Sequence, residues 1–146
     1  MTEADFWTLI DSTIDKSRLP VDKSAALKPL IRKLTDFNKE SLEQFQELLV
    51  HVLYRLDGQK YLSAASAKHE QTSDGFLYAR AYVVAAGRRY YEAVVADPSL
   101  MPKSYEEECE NLLYVVEEAW HETHTDDWNY RTALSYETGS NLEAWD

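Results

Sequence analysis

The feature that most restricts this chain is the run from Asn38 to Leu56. Leu42, Phe45, Leu48, Leu49, Val52, Leu53 and Leu56 recur at three- and four-residue steps and keep one side of a helix apolar. Asn38 is a good N-cap for that helix, and Asp57-Gly58 breaks the run. A stripe of this length has to be covered, so the chain needs further elements of the same period. They are present. Thr2 with Asp5 resembles a helix start, and Phe6, Trp7, Leu9, Ile10 and Ile14 predict a first helix to about Lys16. After Leu19-Pro20, residues Leu27, Leu30, Ile31 and Leu34 predict a second, with Pro29 either in its first turn or kinking it.

The alanine-rich segment Tyr61 to Lys68 is predicted helical, and Ser73-Asp74-Gly75-Phe76 reads as a capped restart. The fifth helix carries Phe76, Tyr78, Tyr82, Val83 and Val84 up to Gly87, which either ends it or lets another element pack closely. Tyr90, Tyr91, Val94 and Val95 continue to a stop at Asp97-Pro98. Ser104 with Glu107 has the capping-box pattern, which predicts a last helix with Tyr105, Cys109, Leu112, Leu113, Val116 and Trp120 on one face. From Thr123 the period disappears. Trp128, Tyr130, Tyr136 and Trp145 stand among Asp, Asn, Thr, Ser and Gly, in either an ordered tail laid over the helices or a recognition segment. No run alternates as a strand would. The expected fold is all-α, an irregular multi-helix bundle with an aperiodic acidic, aromatic C-terminal tail. At 146 residues it is one domain, with the bundle in 1–122 and the tail in 123–146.

The net charge of −11 is unevenly placed. Residues 1–104 hold 14 acidic and 14 basic side chains, whereas residues 105–146 hold 12 acidic side chains and only Arg131. Phosphate contacts need Lys and Arg, so this distribution argues against nucleic acid and anionic lipid as partners and in favour of a basic protein. Glu106, Glu107, Glu110, Glu117, Glu118, Asp126 and Asp127 are the expected acidic contacts. Trp128, Tyr130, Tyr136 and Trp145 are the expected aromatic anchors. The opening residues, with Glu3 and Asp5, lack a basic and then apolar leader, and no stretch approaches 18 apolar residues. Cys109 is the only cysteine. These features lead to the expectation of a cytoplasmic chain.

Catalytic and metal signatures do not assemble. His121-Glu122-Thr123-His124 puts two histidines three apart, one residue short of the His-Glu-x-x-His spacing that places zinc ligands four apart. His51 and His69 lack a sequence-adjacent Ser or Cys that would suggest a nucleophile with its base. Asp74, Arg80 and Arg88, near Gly87, form a candidate polar pocket, either for an anion or as a buried ion pair. No metal or cofactor is expected.

Several of these residues also occur together elsewhere. Phe6-Trp7 followed by Ile10-Asp11, then Ser73-Asp74-Gly75-Phe76 with Tyr78, Arg80, Gly87 and Asp97-Pro98, and finally Leu112-Leu113-Tyr114-Val115, resemble the bacterial domain of unknown function 4240 family over positions 6 to 120. The chain departs from that pattern in lacking a tryptophan-rich stretch after Leu56 and in its acidic aromatic tail. The resemblance implies a helical bacterial protein without established enzymatic activity, found alone or beside regulatory domains.

The functional expectation is a non-catalytic acidic protein-binding module, most concretely an immunity-type inhibitor that masks a basic bacterial toxin or effector. The alternative is a regulatory ligand-sensing or scaffold domain using Asp74, Arg80 and Arg88, and a metal-dependent enzyme stands third. Oligomeric state stays open.

Overall fold

A computed structural model describes residues 1–145, so Asp146, the last position of the expected tail, lies outside the described residues. Its elements are α1 (Glu3–Thr13), α2 (Lys23–Thr35), α3 (Lys39–Arg55), α4 (Gln59–Ala65), α5 (Ser73–Ala85), α6 (Arg88–Ala96) and α7 (Val115–His121). Short 3-10 segments lie at Pro98–Leu100, Glu110–Tyr114 and Leu142–Trp145. Among the described residues there is no strand, and the fold is all-α.

The centre of the bundle is α5. Phe76, Leu77, Ala79, Arg80, Ala81, Val83, Val84 and Ala85 are all buried, so this helix is covered on every side, as an apolar helix without one preferred face must be. α3, α4 and α6 and the segment Glu110–Tyr114 pack around it. α1 bridges α2, α3 and α6 through aromatic contacts: Phe6 lies 5.1 Å from Phe45, and Trp7 4.8 Å from Tyr91. α7 closes the layer by packing along α2. Thr2 and Asp5 form the reciprocal capping box of α1, Asn38 caps α3 through the Ser41 amide, and Thr72 caps α5 through the Gly75 amide.

Several boundaries differ from the sequence expectation. α1 stops at Thr13 and not near Lys16, because Ile14 turns extended and buries its side chain. Pro29 lies inside α2, well past its first turn, since Asp22 starts that helix by capping the Ala25 amide. At Gly87 both expected roles hold. Its φ of +108° ends α5, and a Cβ there would stand 2.6 Å from Asp11 Oδ1, whose carboxylate accepts from the Arg88 amide at 3.1 Å.

The last helix departs most. Ser104–Cys109 is not helical; Ser104 Oγ accepts from the Glu106 amide in a tight turn and not from Glu107. The Cys109 amide donates to the Tyr78 carbonyl of α5 at 3.0 Å, a tertiary bond that replaces the partner four residues back. Tyr105 is consequently 65% exposed, while Met101 fills the core. The chain from Thr123 to Trp145 lies over the bundle, with Trp128, Tyr136 and Trp145 half-buried against the core.

Candidate functional site

The loop that replaces the expected start of the last helix opens a cleft against the first turns of α5. The cleft encloses about 300 Å³ between Glu70, Asp74 and Tyr78 on one side and Tyr105, Glu107 and Glu108 on the other. No lysine or arginine lines it. Its walls are mostly apolar, its rim carries four carboxylates, and the Tyr105 ring is held by stacking on His69 at 4.3 Å. Such a lining favours a cation with an apolar stem, which is the chemistry of a lysine or arginine side chain.

A patch of tyrosines and carboxylates borders the cleft. Tyr114, 40% exposed, donates its hydroxyl to Glu110 at 3.2 Å. Burial raises the Tyr78 phenol pKa, and Glu110 and Asp74 raise it further. Burial likewise raises Tyr114, with Glu110, Glu117 and Glu137 adding to it, and raises Tyr136, with Tyr114, Glu137 and Glu117 adding to it. These mutual influences put Tyr78, Tyr114 and Tyr136 in one negative field. Tyr90, pushed up to about 12 by burial and then by Glu107, extends that field behind the loop.

Of the expected acidic contacts, only Glu107 lines the cleft; Glu110 acts on Tyr78 of its wall and Glu117 on the neighbouring Tyr114, while Asp74, expected in a polar pocket with Arg80 and Arg88, lines the cleft instead. Glu106 does not line the cleft; its carboxylate accepts from Ser104 Oγ and its backbone carbonyl from Lys23 Nζ at 2.7 Å. Glu118 is exposed on α7 without a role in the cleft, and Asp126 and Asp127 sit at an exposed turn where the Asp126 carbonyl accepts from Trp120 Nε1.

The aromatic anchors are mostly occupied within the chain. Trp128 packs on Trp120 at 5.4 Å, Tyr130 donates to Glu47 Oε1 at 2.7 Å, and Trp145 Nε1 donates to Asp57 Oδ1 at 3.0 Å. Only Tyr136 reaches the tyrosine patch.

Asp74, Arg80 and Arg88 do not form one pocket, which corrects the sequence expectation. Asp74 is exposed at the start of α5, and Arg88 pairs with Glu92 at 2.9 Å on the surface. Arg80 is fully buried, and its partners are not carboxylates: it donates to the carbonyls of Leu53 and Tyr136 and to Thr138 Oγ1. Desolvation lowers its pKa to about 10. The helix-centre spacing of Arg80 could not distinguish these partners, because two of them lie more than fifty residues away.

Glu70, Tyr78, Tyr105, Glu108, Tyr114 and Glu137 join the site without having been singled out from the sequence as contacts. Tyr105 carried a misleading signal, since it falls on the apolar period. His124 stacks flat on Trp120, with centroids 3.5 Å apart. Among the described residues, no group of three or more His, Cys, Asp and Glu has a metal-binding arrangement, and no helix is long and apolar enough to cross a membrane.

No curated protein and no solved structure matches the chain. A sequence model of the family described as "Protein of unknown function (DUF4240)" matches residues 1–122, which takes in the bundle and both walls of the cleft. With that much of its length matched, the chain belongs to the DUF4240 family.

Proposed function

We propose that the chain is a non-catalytic protein-binding module whose acidic cleft receives lysine or arginine side chains of a basic partner, and that it is an immunity-type inhibitor masking a basic bacterial toxin or effector. The observation that carries this reading is the cleft itself, with Glu70, Asp74, Glu107 and Glu108 around tyrosine walls and no cation in its lining. Arginine would lay its planar head on tyrosine while the carboxylates accept its fork of donors. The excess charge beyond residue 104 adds long-range steering over a Debye length of about 10 Å. A cytoplasmic setting suits the lone buried Cys109. The regulatory alternative has less to stand on, since its three pocket residues are dispersed.

The test is retention of a basic protein from the native host's lysate on the immobilised chain. Retention should weaken as salt rises and fall by about tenfold or more for Asp74→Lys combined with Glu107→Lys, because like charges then meet at short range. The retained protein, expressed alone, should arrest growth, and co-expression of the wild-type chain should restore it. Retention that ignores both salt and the charge reversals refutes the proposal.

A further inference from the structure

Two oppositely charged side chains of the bundle are buried without a direct ion pair among the described residues, although the charge of Asp57 acts on Arg80. Arg80 and Asp57 are both 0% exposed, and neither takes part in the ion pairs of the chain. A buried charge needs compensating hydrogen bonds, and here much of that compensation comes from the last stretch of the tail. Asp57 accepts from the Gly139 and Asn141 amides and from Trp145 Nε1, at 2.9 to 3.0 Å. Arg80 Nη2 donates to the Tyr136 carbonyl at 2.9 Å and to Thr138 Oγ1 at 3.2 Å. The Thr138 hydroxyl in turn donates to the Ser73 carbonyl at 2.7 Å, in the first turn of α5 and next to Asp74 of the cleft.

Besides that link to the start of α5, the same stretch carries Tyr136 and Glu137: the charge of Glu137 acts on both Tyr114 and Tyr136, and Tyr136 in turn feels Tyr114 and Tyr78 of the patch beside the cleft. We infer that residues 136–145 are a strap whose docking onto Asp57 and Arg80 completes the acidic recognition face, so that two buried residues which never touch a partner govern how well it binds. The inference rests on the cleft being the partner site. Asp57 and Arg80 are positioning residues in this scheme, and Thr138 is the link, because one hydroxyl joins Arg80, the strap and the start of α5. The matched family region ends at residue 122, so the strap adds to the shared bundle a device that tunes its face.

The experiment compares the full-length wild type with Thr138→Val, Thr138→Ser and Glu107→Lys, using a capped octa-arginine peptide as probe at low ionic strength. Valine has nearly the shape of threonine but cannot make either hydrogen bond, whereas serine keeps both. The wild type and the two Thr138 variants have the same net charge, so bulk attraction for the probe is constant across them. Thr138→Val should speed amide exchange at Gly139 and Asn141, preserve helicity and weaken the probe about three- to tenfold, and Thr138→Ser should restore both readouts. Accelerated exchange with unchanged affinity overturns the strap inference alone. Unchanged affinity in Glu107→Lys overturns the cleft as the binding site. Should Thr138→Val lose its helicity, Thr138→Ala, which also removes the hydroxyl at unchanged net charge, carries the same expectation and the same refutation.

Discussion

In the bundle, Phe6, Ile10, Leu49, Leu53, Val84 and Val116 lie within one continuous apolar core, to which α1, α2 and α3 contribute the side their sequence period marks and α5 its whole surface. The tail from Thr123 to Trp145 has no such side. It is fixed by a few side chains, with Trp128 on Trp120 and Trp145 edge-on to Phe76, and by hydrogen bonds onto Asp57, Arg80 and Glu47. Area burial is non-directional and tolerates sliding, whereas those hydrogen bonds demand one register. The contrast also separates stability from function. The cleft is lined wholly by residues before the tail, and the tail reaches only the tyrosines beside it, where Glu137 acts on Tyr114 and Tyr136.

The largest effect should come from the bundle. Leu49 is fully buried on α3, and Leu49→Ala should cost about 2–5 kcal/mol in denaturant unfolding, from lost transfer energy together with the cavity left behind. A loss below about 0.5 kcal/mol would remove α3 from the core and with it the contrast between the two regions.

Alkaline titration sharpens the comparison, since both regions carry shifted tyrosines. Burial raises Tyr61, Tyr82, Tyr90 and Tyr91 in the bundle and Tyr136 in the tail above their ordinary value of 10.0. A proton held more tightly in the folded chain than in the unfolded one contributes stability that is complete below pH 10 and is lost as pH rises through the folded values. Cys109, pushed up to about 12 by burial, acts in the same sense from its ordinary 9.0 upward. Melting temperature should therefore be level to about pH 9 and fall steadily above pH 10. A melting temperature that stays level to pH 12 would show that these phenols and the thiol titrate as if exposed.

Much of the bundle was legible because its causes are local. The stripe from Leu42 to Leu56, the Asn38 cap and the Asp57-Gly58 stop each act within a few residues, and α3 follows them closely. The start of the last helix was not legible. Ser104, Glu107 and Tyr105 have the right spacing for a cap and an apolar stripe, but the Cys109 amide bonds to Tyr78 across the fold. That pairing also makes the cleft, so the same misreading hid Tyr105 as a site residue. Asp57 read only as a helix stop, yet its carboxylate meets Trp145 across 88 residues of sequence. Charge was readable only as a bias of the last segment: of the acidic residues expected there Glu107 lines the cleft, whereas Glu70, Asp74 and Glu108 reach it through folding that a charge count does not show.

The smallest effect isolates the tail. Tyr130 donates its hydroxyl to Glu47 Oε1 at 2.7 Å, and the same carboxylate oxygen accepts from the Ala133 amide at 3.0 Å. The phenol pKa is pushed up to about 12, first by that hydrogen bond and then by desolvation and the charge of Glu47. Tyr130→Phe keeps the ring against Trp128, 6.1 Å away, and removes only the hydroxyl. Glu47 then retains the Ala133 amide, so its carboxylate is not left bare, and the expected loss is about 0.5–1.5 kcal/mol in denaturant unfolding. Glu47→Gln should cost a similar amount, since it weakens the acceptor for both donors. The double variant should cost less than the two losses added, because the partners share one bond and each single change already breaks or weakens it. Strict additivity would mean that Tyr130 and Glu47 do not meet in solution, and the tail would then be held on α3 by the Ala133 amide on Glu47 and Asn141 Nδ2 on the Tyr54 carbonyl without the phenol.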